Sequence, residues 1–183
     1  RAVLQFFNRY QTEDGTLGPL PWWDYVDWAN EWPQGRPPRD AAGRAAPHDL
    51  QLILALDWAA ELEESLGSNA RAQEHRAGAL RLRSAARARY WAPSRGLFSD
   101  NGDHRIFSQQ TNALAVLAGL TTGEEARGVL EKTLAEADLT QASFYFRHYL
   151  HEALLRAGMG DRYLDQLGPW RRMIATGLTT WAE

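Results

Sequence analysis

The 183 residues carry 23 acidic and 20 basic side chains, a net charge of −3, and no cysteine. That excludes a disulfide framework and a thiolate metal site, and it argues against a nucleic-acid protein, whose basic face lifts the pI well above the 6.0 found here. No apolar run approaches the roughly 20 residues of a membrane span, while eight tryptophans are a heavy load that needs an explanation.

The first distinctive stretch in chain order is the irregular segment 12–47, too long for a passive connector in a compact domain. Its first half is aromatic and acidic, with Trp22, Trp23, Asp24, Tyr25, Asp27, Trp28 and Trp32 within eleven residues. Its second half is rich in Pro, Gly and Arg and reads as a surface loop. Residues 48–66 are apolar nearly all round, which predicts a helix packed on several sides and stopped at Gly67. In 70–91, Ala79, Leu82, Ala86 and Tyr90 recur at helical spacing, and six arginines make the remainder a basic, solvated face.

Residues 92–105 are irregular again. Gly96–Asp100 supports at most a short extended piece, and Asp100–His104 reads as a turn, since the repeated acids and closing Glu of a calcium loop are missing. A helix over 106–119 follows, with Phe107, Thr111, Leu114 and Ala118 on one face. Gln109, Gln110 and Asn112 at its start either line a polar cavity or cap and solvate the helix. Thr122 and Glu125 have the spacing of a capping box and open a helix striped by Ala126, Val129, Leu130, Thr133 and Ala137. Phe146, Tyr149, Leu150, Ala153 and Ala157 mark a helix over 142–157, broken at Gly158 and Gly160. Asp161 is placed to N-cap the next one, which Pro169 must kink or divide. His148 and His151 stand three apart on one face. With no third ligand and no H-E-x-x-H spacing, they read as packed histidines, and no metal is expected.

Helices of about 12–20 residues joined by short turns stack as hairpins, so the fold class is all-α. An open solenoid repeats its residues at a period of roughly 34–47, and this chain does not, so a closed toroid of hairpins is the better match. A saccharide ring offers an apolar face and a rim of hydroxyls. The Trp22–Trp32 segment offers flat aromatics and carboxylates to meet them, or else it is an aromatic loop packed down on the core. Glu183, closing the stretch Thr179-Thr180-Trp181-Ala182-Glu183, is either a carboxylate whose aromatic surroundings fit it for acid–base work or an ordinary surface side chain.

Taken in order, Trp23–Trp28, residues 96–120 and residues 143–183 resemble the catalytic domain of bacterial α-L-rhamnosidases of glycoside hydrolase family 78. The resemblance implies an (α/α)6 barrel of six helical hairpins with the active site at the mouth of the toroid. It implies inverting hydrolysis of terminal α-L-rhamnosides without a cofactor. Thr179, Thr180 and Glu183 match the family's T-T-x-x-E stretch, which implies Glu183 as general base. Trp23, Tyr25, Val26, Asp27 and Trp28 match its W-x-[FY]-V-D-W segment, which implies Asp27 as a hydroxyl-binding carboxylate and Trp23 and Trp28 as walls, with Trp22 and Asp24 as further pocket residues.

The family's general acid belongs to a D-x-R-x-G-W-x-G-D motif, and the 183 residues contain none. About seven helices are expected here against twelve in a complete barrel. The chain begins on Arg1 and ends on Glu183, so it reads as a piece of a longer protein whose compartment, cytoplasmic or exported, stays open. Residues 1–183 are accordingly expected to form a partial catalytic barrel, incomplete in this chain, with 12–47 as its active-site rim loop. The partner is expected to be a rhamnose-containing oligosaccharide or glycoside, not nucleic acid and not a membrane. The piece should be inactive alone, and exposed hairpin faces should drive self-association or pairing with the rest of the parent chain. A six-hairpin glycosidase of other sugar specificity and an α-solenoid peptide-binding module are the alternatives.

Overall fold

The spine of the molecule is a long antiparallel hairpin, α2 (Ala46–Ser65) and α3 (Asn69–Tyr90), in a computed structural model that describes residues 2–181. Pro47 sits in the first turn of α2, where a missing N–H costs nothing. The helix then buries Leu50, Leu52, Ile53, Leu54 and Leu56 on several sides, as its unbroken apolar run predicts. Gly67, at φ 76°, takes the left-handed position that closes the helix, and the Ser68 N–H reaches back to the Glu63 carbonyl at 2.7 Å. The buried stripe of α3 is mostly small: Ala72, Ala79, Leu82, Ala86 and Tyr90. Small residues bring its axis close to α2.

A two-residue pair of strands follows, with β1 (Trp91–Ala92) antiparallel to β2 (Leu97–Phe98) and Trp91 opposite Phe98. The helix α4 (Gln109–Leu117) is the central one; every residue from Gln109 to Val116 is buried, and it packs against α2 and against the later helices α5 (Gly123–Ala135) and α6 (Arg147–Arg156). Ser108 caps it by accepting from the Thr111 N–H. The amides at its start are buried and bonded to the protein, not solvated. Asn112 accepts from the Phe98 N–H at 2.8 Å and donates to the Phe98 carbonyl at 3.0 Å, which sews β2 to the helix. Gln109 donates to the Thr133 carbonyl and accepts from the Ala142 N–H.

The basic face of α3 does more than meet water. Arg83 donates to the Ala118 carbonyl at 2.6 Å, Arg87 to the Leu120 carbonyl at 2.7 Å, and Arg156 of α6 to the Leu117 carbonyl at 2.8 Å. Three guanidiniums thus satisfy carbonyls in and just beyond the last turn of α4, where a buried helix end has no partners of its own and cations are favoured.

The next helix, α5 (Gly123–Ala135), starts after Thr122 as the spacing predicts, but the capping box does not form. Glu125 is taken instead by Arg87 and by the Thr121 hydroxyl at 2.6 Å. In α6 (Arg147–Arg156), Leu150, Ala153 and Leu154 face the core. Asp161 caps no α-helix, because Gly160–Leu167 winds as 3-10 turns with no fully buried residue to anchor it. Pro169 divides the segment as expected and stands in the first turn of α7 (Gly168–Ala175). One short helix, α1 (Ala2–Asn8), is absent from the sequence reading; Leu4 and Phe7 lean on the core but none of its residues is fully buried. Among the described residues the fold is all-α, with seven α-helices and one minimal strand pair.

Candidate active site

The long segment before α2 is held to the spine at its start by a buried carboxylate. Asp49 of α2 accepts from the Leu17 N–H at 2.7 Å and from the Tyr90 hydroxyl at 2.6 Å. Further along, the segment folds on itself. The Val26 N–H donates to the Gly35 carbonyl at 2.9 Å, Val26 and Trp32 are buried, and Gly35 adopts φ 69°. The left-handed turn leaves no room for a side chain, since a Cβ on Gly35 would lie 2.5 Å from Cδ2 of Tyr25. Gly35→Ala is therefore expected to cost about 2 kcal/mol, through the strained backbone and the displaced ring. Urea melts followed by tryptophan emission will check this, and an unchanged midpoint refutes it.

Asp27 fastens this folded loop to the helical body. Its side chain is fully buried, and it accepts from Gln110 Nε2 at 2.6 Å, from the Ser143 N–H at 3.0 Å and from the Ser143 hydroxyl. One carboxylate thereby joins three segments, the long loop before α2, the start of α4 and the approach to α6. On the outer side of the loop the rings of Trp23, Tyr25 and Trp28 form a tilted cluster, with centroids 5.0 to 6.0 Å apart. The Trp23 indole N–H donates to the Gln34 carbonyl at 2.9 Å, which fixes the orientation of its ring. Trp22, Trp23 and Trp28 nevertheless leave 67%, 59% and 51% of their surface exposed.

Two hollows meet at these indoles. One, of about 400 Å³, is apolar and lies between α1, α2 and the loop, lined by Phe6, Phe7, Leu20, Trp22 and Trp23 among others. The other, of about 680 Å³, is open and lined by Pro21, Trp22, Trp23, Trp28, Gln34 and Arg36. Trp22 and Trp23 form part of the lining of both.

Asp24 lies beneath them. Arg36 Nε stands 2.6 Å from one of its oxygens, Arg39 pairs with the other, and His48 Nε2 is 3.3 Å away. Burial holds the His48 imidazole below its ordinary value against the pull of Asp24. The resemblance implies Asp27 as a hydroxyl-binding carboxylate and Asp24 as a further pocket residue. In the structure Asp27 is held by Gln110 and Ser143, while Asp24 is held by Arg36 and Arg39 and also lines the apolar hollow. Gln110 and Ser143, which hold Asp27, are partners that the sequence does not predict. The one signal for Gln110 is the run of amides opening a helix that is otherwise apolar, and no local pattern marks Ser143.

Glu183, expected as the general base, lies outside the described residues. Trp181, two positions before it, lines a third hollow of about 480 Å³ with Phe144, His148, His151 and Trp170. This hollow shares no lining residue with the Trp22–Trp28 pair. The two regions still adjoin through the backbone, because Ser143 grips Asp27 while its neighbour Phe144 faces the third hollow.

The model of the bacterial alpha-L-rhamnosidase 6 hairpin glycosidase domain matches residues 2–183. The chain belongs to that family. Among solved structures it is similar to a GH78 family rhamnosidase of Bacillus sp. GL1, with a TM-score of 0.83 and 24% identity over 98% of this chain and 19% of that one. It is similar to a rhamnosidase from Klebsiella oxytoca with rhamnose bound, at TM-score 0.80 and 22% identity over 95% of this chain and 32% of that one. An alpha-L-rhamnosidase from Dictyoglumus thermophilum follows at 0.71 and 18%, over 98% and 21%. At these identities the structures establish the fold. The chain spans between a fifth and a third of the length of these three proteins. No curated protein gives a significant match. As a six-hairpin glycosidase domain, the chain leaves the repeat-built solenoid without support.

Proposed function

We propose that this family domain is the later part of the catalytic barrel of an enzyme that hydrolyses terminal α-L-rhamnosides with inversion, and that residues 12–47 form the rim of its sugar site. The observation that carries the reading is the family match over residues 2–183. The exposed indole cluster supports the location. Three tryptophans left half or more uncovered, on a loop fastened by a fully buried carboxylate, are costly to expose and are prepared to take a flat apolar face.

In this reading Trp23 and Trp28 stack on the sugar, Trp22 flanks them, and Asp27 and Asp24 hold the platform in place. Glu183, by its place in the T-T-x-x-E stretch, removes a proton from the water that attacks the anomeric carbon. A carboxylic acid across the scissile bond protonates the leaving oxygen, and the cation-like transition state passes between the two. The 183 residues contain no D-x-R-x-G-W-x-G-D stretch to supply that acid. The acid must then come from the parent polypeptide, and the chain alone turns nothing over. The outward apolar side chains Trp58, Leu62 and Leu66, on successive turns at the end of α2, are in this view surfaces for the rest of the barrel or for a second copy.

The test is hydrolysis of an aryl α-L-rhamnoside by the parent polypeptide, with the first-formed anomer read by proton NMR. The β-anomer is expected first. Retention of configuration, or preference for an aryl glucoside, overturns the proposal. Turnover by the 183-residue chain overturns the division of labour between the two carboxyls. A sugar specificity other than rhamnose within the same fold is the alternative that the glucoside control addresses.

A further inference from the structure

The hollow between α6, the 3-10 turns and α7 differs in character from the indole rim. His148, His151 and Arg171 line it, and no carboxylate does among the described residues. The Nε2 atom of His151 is buried without a hydrogen-bond partner. Its ring is packed edge-on against Tyr163 at 4.7 Å and tilted against Trp170 at 6.0 Å, so the imidazole has little freedom to swing toward solvent. Arg147, half-buried one turn before His151, lays its guanidinium over Trp170 at 5.9 Å and has no acidic partner among the described residues.

Many of the arginines elsewhere are held by acidic partners. Arg36, Arg39, Arg44, Arg76, Arg83, Arg87, Arg89 and Arg95 all meet carboxylates. This hollow combines aromatic walls, the Arg171 guanidinium and an imidazole nitrogen without a partner. A small inorganic anion would satisfy the charges but would leave the faces of Trp170, Trp181 and Phe144 uncovered. A neutral sugar would cover the faces and leave the charges unanswered. A ring that carries a carboxylate does both, and about 480 Å³ is ample for a monosaccharide.

We propose that this hollow is a subsite for a uronate unit of an oligosaccharide, its ring against Trp170 or Trp181 and its carboxylate met by Arg171 and the imidazoles of His148 and His151. The choice of a uronate over other ring-bearing carboxylates rests on the glycosidase reading. The test reads binding and not turnover, so failure of one leaves the other standing.

Calorimetric titration of the chain with D-galacturonate and with D-galactose compares one ring with and without the carboxylate. The acid is expected to bind at least tenfold more tightly. The Arg171→Gln variant, altered at an exposed position, should lose that advantage. The Arg76→Gln variant, which changes an arginine on the distant α2–α3 hairpin, should keep it. Equal binding of acid and neutral sugar, or an unchanged preference in Arg171→Gln, overturns the proposal. Tighter binding of inorganic phosphate or 4-hydroxybenzoate overturns the uronate assignment. Digalacturonate should bind more tightly than the monomer, and a dimer that binds no better overturns the assignment to an oligosaccharide.

Discussion

Asp27→Ala is expected to destabilise the chain by roughly 3–4 kcal/mol and to release the indole rim from the helical body. The carboxylate is fully buried and accepts from Gln110, from the Ser143 N–H and from the Ser143 hydroxyl. Removing it strands these donors away from water, and each buried group without a partner costs about 1–3 kcal/mol. The variant also opens a void where the loop, α4 and the approach to α6 converge. Asp27→Asn keeps the shape and one acceptor oxygen and turns the other atom into a donor, facing donors of Gln110 or Ser143. It should fall between wild type and alanine. Chemical denaturation will rank the three. If Asp27→Ala unfolds at the wild-type midpoint, the carboxylate is not the fastener described here. A carboxylate that served only as a sugar ligand would behave differently, leaving stability intact and removing binding alone.

The same residue shows how far the sequence can be read. Its W-D-Y-V-D-W setting draws attention to Asp27 and its aromatic neighbours, and the indoles do emerge at the surface together. The setting does not show that the carboxylate turns inward, because its partners Gln110 and Ser143 lie 83 and 116 residues away. Helix positions are legible where a stripe repeats locally, as in α3 with Ala79, Leu82, Ala86 and Tyr90. Caps are less so. Thr122 and Glu125 have the right spacing, but Arg87 arrives from another helix and claims the glutamate. The solvated arginine face holds at Arg71, Arg76 and Arg81 but not at Arg83 and Arg87, since the backbone carbonyls those two bind become neighbours only after α4 has docked. Short-range pattern thus gives the elements, while the polar connections between elements need the fold. The short helix α1 escapes because its seven residues are too few to show a repeating stripe, and Leu4 and Phe7 pack only against the assembled core.

Between pH 4 and 7 two buried carboxyls that the indole site does not use should each withdraw stability as pH rises. Burial pushes Asp49 from an ordinary 3.8 up to about 7, against hydrogen bonds from Tyr90 and Leu17 that favour its charged form. Burial does the same to Asp100, up to about 7, against the hydroxyls of Ser108 and Thr111, and its second oxygen has no partner. In this window the unfolded chain has released protons that the folded chain retains. Their contribution to stability therefore falls with rising pH and levels off above about 7. Moving a carboxyl from 3.8 to about 7 is on the order of 4 kcal/mol for each group.

His48 and His151, both held below their ordinary values chiefly by burial, act in the opposite sense up to pH 6.5, so the raw curve mixes the two effects. The Asp100→Asn variant separates them. Its amide oxygen still accepts from Ser108 and Thr111 but carries no charge at any pH. The stability difference between variant and wild type should shift in the variant's favour by an amount on the order of 4 kcal/mol from pH 4 to pH 8. In that difference the histidines cancel. Urea melts at five or six pH values suffice to trace it. A difference that stays constant across the range means that Asp100 ionises in the folded protein as it does in water, and the account of a carboxyl kept neutral under the start of α4 then fails.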